Sequence, residues 1–504
     1  MPKYCLRTTI FSLLFSILLS SPVAAGWKFE AKFNPEIRSK PFTGRVYVFF
    51  NRNSRNPRLG PGWFNPPPFI AKDVKNLKPN QTVTFDDSDE ANILAFPEPL
   101  SKLNLNGFHA QVVMRFNPFV PTVGTGAGNG YSNVVTLQDG EKAVFKIGNL
   151  VKDREFHETK WVKLIRVKSK LLSDFFKRDV YAQGSVRLPA SYYDQPNRRY
   201  PTIYRIPGFG GRHFTRSNSP VREKNKNGVE FFRITLDPAC GLGHHVFADS
   251  ANNGPVGESL IEELIPAFDK KFRSIAKPSA RFLTGHSSGG WSSLWLMTAY
   301  PKQFAGTWST SPDPVDFRDF QRIDIYDSKE NMFVDSDGKR RPLARRGRQV
   351  MIWYDTFSSM EWVLGHGGQL HSFEAVFSPK GKDGKPMLLW DRKSGKINQK
   401  VAQAWKKYDI RMILENNWKK LQPDLKGKIH VYMGDMDTFY LEGATILLKK
   451  SLDKLPLQAT VEIHPGKTHF SLLSPKLRKR ILADMVETFL KYHPHASGDS
   501  IPSP

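Results

Sequence analysis

Cysteine is nearly absent from this chain: only Cys5 and Cys240 occur in 504 residues. Cys5 falls in a segment read below as a removable leader. Cys240 then has no partner, and a fold stapled by internal disulfides is excluded. Acidic residues are also scarce, with 48 Asp and Glu against 74 Lys and Arg and a formal charge of +26. Such a balance favours an acidic partner, such as an anionic polysaccharide, a charged small molecule or a membrane surface. The basic residues are mostly dispersed, with runs at Lys339–Arg348 and Lys476–Arg480. No nucleic-acid-binding signature accompanies them, so they read as a solvated basic surface and nucleic acid is not an expected partner. Long apolar runs are missing too. After the first 25 residues nothing approaches the length a membrane helix needs, so no membrane span is expected once the leader is gone.

What is present begins with "MPKYCLRTTIFSLLFSILLSSPVAAGW". Lys3 and Arg7 supply a positive start, Ile10–Leu19 an apolar run too short to span a bilayer comfortably, and Val23 and Ala25 the small residues of a cleavage site. Residues 1–25 therefore read as a signal peptide, and the mature protein as secreted or periplasmic. The last ten residues, 495–504, read as a flexible tail.

Between residues 26 and 155, short alternating runs are separated by stretches such as "NPRLGPGWFNPPPF". "RVYVFF" (Arg45–Phe50), "HAQVVMRF" (His109–Phe116) and "AVFKIGNLV" (Ala143–Val151) predict strands of a β-sandwich-like module. The acidic cluster Asp86, Asp87, Asp89 and Glu90 reads as a solvated loop. From residue 156 the pattern becomes strand, helix, strand, helix, which predicts a doubly wound, mostly parallel sheet covered by helices over 156–494. The helix over Gly257–Phe272 places Leu260, Ile261, Leu264, Ile265 and Phe268 on one face. From about residue 313 to 428 the alternation is lost, as expected of a large insertion capping one end of the sheet. Trp362, Trp390 and Trp405 in this cap are candidates for a pocket lining, although packing is the commoner role. His366, His371 and Glu374 lie close in sequence but match no strong metal-ligand spacing.

The chemistry centres on "RFLTGHSSGGWSSLWL". Gly285-His286-Ser287-Ser288-Gly289 fits G-x-S-x-G, a sharp strand-to-helix turn that exposes a serine hydroxyl. Ser287 has glycine two residues away on both sides, whereas Ser288 does not. Ser287 is therefore the candidate nucleophile, and the Ser288 backbone N–H a candidate oxyanion donor. A serine needs a base, and in this type of fold an acid and then a histidine follow it. His469, in "HPGKTHFSLL", is the candidate base, with His464 as rival. Asp437, in "HVYMGDMDTF", is the candidate acid, with Asp435 as alternative. The loop "RIPGFGGRHF" offers Phe209 as the second oxyanion donor.

These blocks, with "DSANNGPVGESLIEELIPAFDKKF" between them, resemble the esterase D-type branch of the α/β-hydrolases over roughly residues 160–312 and 428–490. That branch includes feruloyl and acetyl-xylan esterases, enterochelin esterases, S-formylglutathione hydrolases and secreted mycolyltransferases. The resemblance implies an α/β-hydrolase fold with Ser287 as nucleophile, Asp437 as orienting acid, His469 as base, and Phe209 and Ser288 at the oxyanion. Where the family usually has His-Gly, this chain has Pro207-Gly208. The expected activity is hydrolysis of a carboxylic ester through an acyl-enzyme, on a carbohydrate-linked acyl or feruloyl ester or a siderophore-type ester. No metal or organic cofactor is needed. The alternatives are an acyltransferase using the same acyl-enzyme, or an envelope carbohydrate-binding protein that has lost catalysis.

Overall fold

The computed structural model describes residues 26–494, apart from 54, 139–140, 216, 223–224 and 226. The leader and the tail expected at residues 1–25 and 495–504 lie outside the described residues. Among the described residues no helix is long and apolar enough to cross a membrane.

The first part of the chain, Lys28 to Leu150, forms one continuous nine-stranded sheet. In strand Lys142–Leu150, Ala143, Phe145 and Ile147 point inward while Val144 and Lys146 face water, the period-two pattern of a strand with one wet face. Strand Phe42–Asn51 differs, because Val46 through Phe50 are all buried. Its two faces serve two cores. Val46, Val48 and Phe50 pack with Phe29, Phe33, Ile70 and Val112 inside the sheet's own core. Tyr47 and Phe49 face outward into the core of the rest of the molecule, alongside Phe69 and Val113. An unbroken apolar run is what a strand covered on both sides requires.

The second sheet has eight strands: β1 (Val162–Lys168), β2 (Tyr181–Arg187), β3 (Thr202–Ile206), β4 (Phe232–Leu236), β5 (Arg281–His286), β6 (Gly306–Thr310), β7 (Ile429–Gly434) and β8 (Thr460–His464). Their order is β1-β2-β4-β3-β5-β6-β7-β8. β1 pairs antiparallel with β2 and β2 with β4, and every other pairing is parallel. Parallel strands need crossovers, and helices lie in those that lead to β5, β6, β7 and β8. The carboxyl ends of β3, β5, β7 and β8 thus open towards one rim, where ligands bind in open α/β sheets. The helix expected over 257–272 spans Val256–Lys271, with a π-type turn at Leu260–Leu264 just before Pro266. A proline has no N–H to give to the preceding turn, so the hydrogen-bond ladder widens there.

Helix α1 (Ser288–Ala299) follows β5 and is buried along nearly its whole length. It has no wet face because the segment between β6 and β7 covers it. That segment contains α2 (Tyr354–Leu364), α3 (Gln369–Phe377) and α4 (Ile410–Leu425). Phe377 packs on Trp291 with ring centroids 5.1 Å apart, and Tyr408 on Trp295 at 5.3 Å.

The N-terminal sheet clasps the same segment. The Arg45 guanidinium donates to the carbonyls of Trp362 and Val363, both at 3.0 Å, and the Tyr47 hydroxyl donates to that of Leu364 at 2.7 Å. Arg115 donates to the His366 carbonyl at 2.7 Å. These are the last carbonyls of α2 and the turn beyond it, which have no partner within the helix, and two cations sit at the negative end of its dipole. Asp73 holds Arg45 from behind at 2.7 and 2.8 Å. Arg45→Ala should therefore lower the thermal midpoint by a few degrees, on the order of 1–2 kcal/mol, because two helix-end carbonyls lose a charged donor. Tyr47→Phe, which removes a single hydrogen bond, should cost about 1 kcal/mol. Melting curves of the two variants check both values.

Candidate active site

Ser287 stands between β5 and α1 with φ 60° and ψ −129°, a conformation that side-chain-bearing residues rarely adopt. The glycines around it are needed for space. A Cβ on Gly285 would come within 1.9 Å of the Gly289 carbonyl oxygen, and one on Gly289 within 2.0 Å of the Ile206 carbonyl oxygen. The strained backbone is held by hydrogen bonds at both of its polar groups. The Ser287 N–H donates to the Thr310 carbonyl at 3.1 Å, and its own carbonyl accepts from the N–H groups of Gly290 at 2.7 Å and Trp291 at 3.1 Å. Ser288 is buried in the first turn of α1, where backbone N–H groups have no intrahelical acceptor. Its hydroxyl lies 3.4 Å from Nε2 of Gln369, at the start of α3.

The loops after β7 and β8 bring Asp437 and His469 together. His469 Nδ1 lies 2.8 Å from Asp437 Oδ2, with the histidine 3% and the aspartate 0% exposed. The other Asp437 oxygen accepts from the Phe439 N–H at 2.9 Å, and the Asp437 carbonyl accepts from Arg345 Nε at 2.9 Å. The carboxylate therefore cannot swing away, and it fixes the imidazole with Nδ1 protonated. Asp435 lies apart: it accepts from the Gly466 N–H at 2.7 Å and ties the two loops to each other. His464 pairs with Glu462 at 3.3 Å. His286 packs beside His469 with ring centroids 4.6 Å apart. Burial, reinforced by His469, pushes His286 down to about 3, so it stays neutral at ordinary pH and adds no charge.

The loop after β3 passes directly over the serine. A Cβ on Gly208 would stand 3.1 Å from the Ser287 Cβ, and Phe209 lines the same cavity. The loop is anchored by residues that sequence reading did not single out. Arg212 grips Asp237 with contacts of 2.8 to 3.0 Å, and His213 Nδ1 meets the same carboxylate at 2.6 Å. His244 Nε2 donates to the Pro207 carbonyl at 2.9 Å, while its Nδ1 accepts from the Val246 N–H at 3.1 Å. Burial holds His244 down at about 4, which keeps it in the neutral form that this pairing needs. The signal for Arg212 and His213 was their position right after the glycines of "PGFGGRHF".

Ser287, His286, His469 and Phe209 open onto a cavity of about 430 Å³. Its apolar wall comes from three parts of the chain: Trp63 and Phe64 from the N-terminal region, Leu343, Phe357, Leu370 and Phe373 from the segment between β6 and β7, and Phe439, Leu441 and Phe470 from the loops after β7 and β8. Among the described residues that line it there is no lysine or arginine, so the basic charge of the surface does not extend inside. Trp362, Trp390 and Trp405 do not line it. Trp390 and Trp405 are fully buried packing residues, and Trp362 is exposed. His371 pairs with Glu361, Glu374 pairs with Arg392, and His366 meets the Pro118 carbonyl, so these three candidate ligands diverge. Among the described residues no group of three or more His, Cys, Asp or Glu is arranged to hold a metal.

Asp313, just past β6, is a further carboxyl of the cavity that sequence reading missed. Its N–H reaches the Ser287 carbonyl at 3.4 Å, and its Oδ2 is buried without a partner. Burial pushes its carboxyl up to about 6, against the pull of Ser288, His469 and Ser287. A carboxyl raised on folding stays protonated in the native state after the unfolded chain has ionised. Its contribution is therefore most favourable below the ordinary value near 3.8 and is lost as pH rises through about 6. Asp313→Asn should melt higher than the wild type at pH 7–8, with the gap closing by about pH 4. Thermal melts across that range check it.

The model of the family described as "Putative esterase" matches residues 249–469. No curated protein matches the chain. Among solved structures, a ferulic acid esterase is similar at 13% identity and a TM-score of 0.39, over 65% of this chain and 99% of that one. An S-formylglutathione hydrolase from Agrobacterium tumefaciens is similar at 13% and 0.36, over 67% and 95%. A fluorophosphonate-binding serine hydrolase of Staphylococcus aureus gives 13% and 0.38, over 64% and 98%. The stretch that matches this esterase family runs from the segment after β4 to His469 and includes Ser287, Asp437 and His469.

Proposed function

We propose that Ser287, His469 and Asp437 form the catalytic triad of an exported esterase, with the N–H groups of Ser288 and Phe209 as the oxyanion site. The Ser287 hydroxyl attacks the ester carbonyl as His469 Nε2 takes its proton. The carbonyl oxygen, now negative, accepts hydrogen bonds from the two backbone N–H groups at the positive end of α1. His469 returns the proton to the departing alcohol, leaving an acyl group on Ser287. Water then attacks that acyl group, again through His469, and the free acid leaves. Asp437 keeps Nδ1 protonated and stabilises the imidazolium in both halves. Export through the leader at residues 1–25 rests on its charged start, short apolar run and small-residue cleavage site.

One observation carries this reading: a buried His469–Asp437 pair opens on the same cavity as a serine held at φ 60°. Of the candidate esters, those with an apolar acyl group suit the cavity better than an anionic siderophore complex, because no cation lines it among the described residues.

The test is turnover of p-nitrophenyl esters together with labelling by a fluorophosphonate. Ser287→Ala and His469→Ala should each lose roughly a thousandfold or more in kcat, and Ser287→Ala should not label. Asp437→Asn should lose a comparable factor, whereas Asp435→Asn should stay within a few-fold of wild type. Full activity in Ser287→Ala would overturn the reading.

A further inference from the structure

Trp63 lies outside the stretch that matches the esterase family, on a loop of the N-terminal sheet, yet it lines the catalytic cavity. Its ring meets three elements of the site at once. The centroid separations are 5.9 Å to Phe209 of the proposed oxyanion loop, 5.1 Å to Phe357 of α2 and 5.5 Å to Phe439. Phe439 in turn packs edge-on against His469 at 4.9 Å and stacks on Phe64 at 6.2 Å. The loop that carries Trp63 is stiff. Pro57, Pro61, Pro66, Pro67 and Pro68 restrict its backbone, and the Arg58 N–H donates to Gln111 Oε1 at 3.2 Å while its guanidinium lies over the Tyr131 ring. The indole is thus held in place before any ligand arrives, which lowers the entropy lost on binding.

The cavity also has a direction. Phe470, beside His469, is 69% exposed and marks the mouth, while Phe357, Leu370 and Phe373, at 1%, 2% and 6%, form the deep end. His469 hands its proton to the departing alcohol, so that half of the ester leaves by the mouth. The half that stays on Ser287 lies against the deep end, where Trp63 packs on Phe357.

We propose that Trp63, supported by Phe64, is the specificity-determining wall for the acyl group, and that it selects esters whose acyl part is bulky and apolar over acetyl esters. This rests on the Ser287 reading above, since it assigns the acyl half from the direction of proton transfer. The N-terminal region is then a working part of the site and more than a tether or a packing partner.

The experiment compares kcat/KM for p-nitrophenyl octanoate and p-nitrophenyl acetate in the full-length wild type, Trp63→Ala and Phe64→Ala. Keeping the leaving group constant makes the ratio report the acyl half alone. Wild type is expected to favour octanoate. Trp63→Ala is expected to lose roughly tenfold or more on octanoate and less than about threefold on acetate, with Phe64→Ala in the same direction and smaller. Equal losses on both esters, or an unchanged ratio, would overturn the proposal. Trp63→Leu, which retains apolar bulk, should recover part of the ratio if Trp63→Ala is poorly folded. Fluorophosphonate labelling of every variant separates the two readings. Labelling that persists with an unchanged ratio removes only the wall, whereas wild-type protein that never labels removes the proposed nucleophile and with it the acyl assignment.

Discussion

The turn at Ser287 is the constraint around which the molecule is arranged. Its backbone sits at φ 60° because three chain segments converge there with no room for side chains: the end of β5, the first turn of α1 and the start of the loop after β3. Strain of this kind persists only when its surroundings over-determine it. Here the surroundings are a β5–β6 pairing that ends where Ser287 donates to Thr310, a buried helix, and the segment that seals that helix from water. The segment between β6 and β7, and the N-terminal sheet that clasps it, thus have a structural part in holding the turn.

Electrostatically the site is economical. The chain carries a large positive charge, but the polar side chains that line the cavity are two histidines, an aspartate, Ser287 and two glutamines, set in a mostly apolar wall. Burial keeps His286 neutral and raises Asp313, and Asp437 is held at both oxygens and at its carbonyl. In a mostly apolar cavity each such hydrogen bond counts for more than it would in water, and a misplaced charge costs more. The second buried His–Asp pair, His213 with Asp237, shows the same chemistry used to pin a loop, because that pair lies away from the cavity lining.

How far the sequence foretold this depends on whether a feature is local. The elbow was legible because glycine spacing records steric contacts between near neighbours, and β5 and α1 flank it as the pattern implied. Asp437 stands further than Asp435 into the loop after β7, which favours it as the acid, and it is Asp437 that meets His469 while Asp435 accepts from the Gly466 N–H. The run Val46–Phe50 was legible as a strand. Expected as an alternating run, it is covered on both faces, which the sequence did not show. The N-terminal strands, expected as a sandwich-like module, are hydrogen-bonded into one sheet whose outer face belongs to the main core. Trp63 and Asp313 were beyond reach, since no local pattern ties a residue on a proline-rich loop, or one just past β6, to a serine far along the chain.

The proline-rich loop has a consequence for how such a protein diversifies. Residue 63 projects from a connection between strands, makes no backbone contribution to either sheet, and contacts the site only through its ring. Replacing that side chain therefore remodels the cavity while the elbow, the His–Asp pair and both sheets keep their own contacts. Lineages carrying the same hydrolytic core can drift apart in the esters they accept by changing a segment that shares no strand or helix with that core.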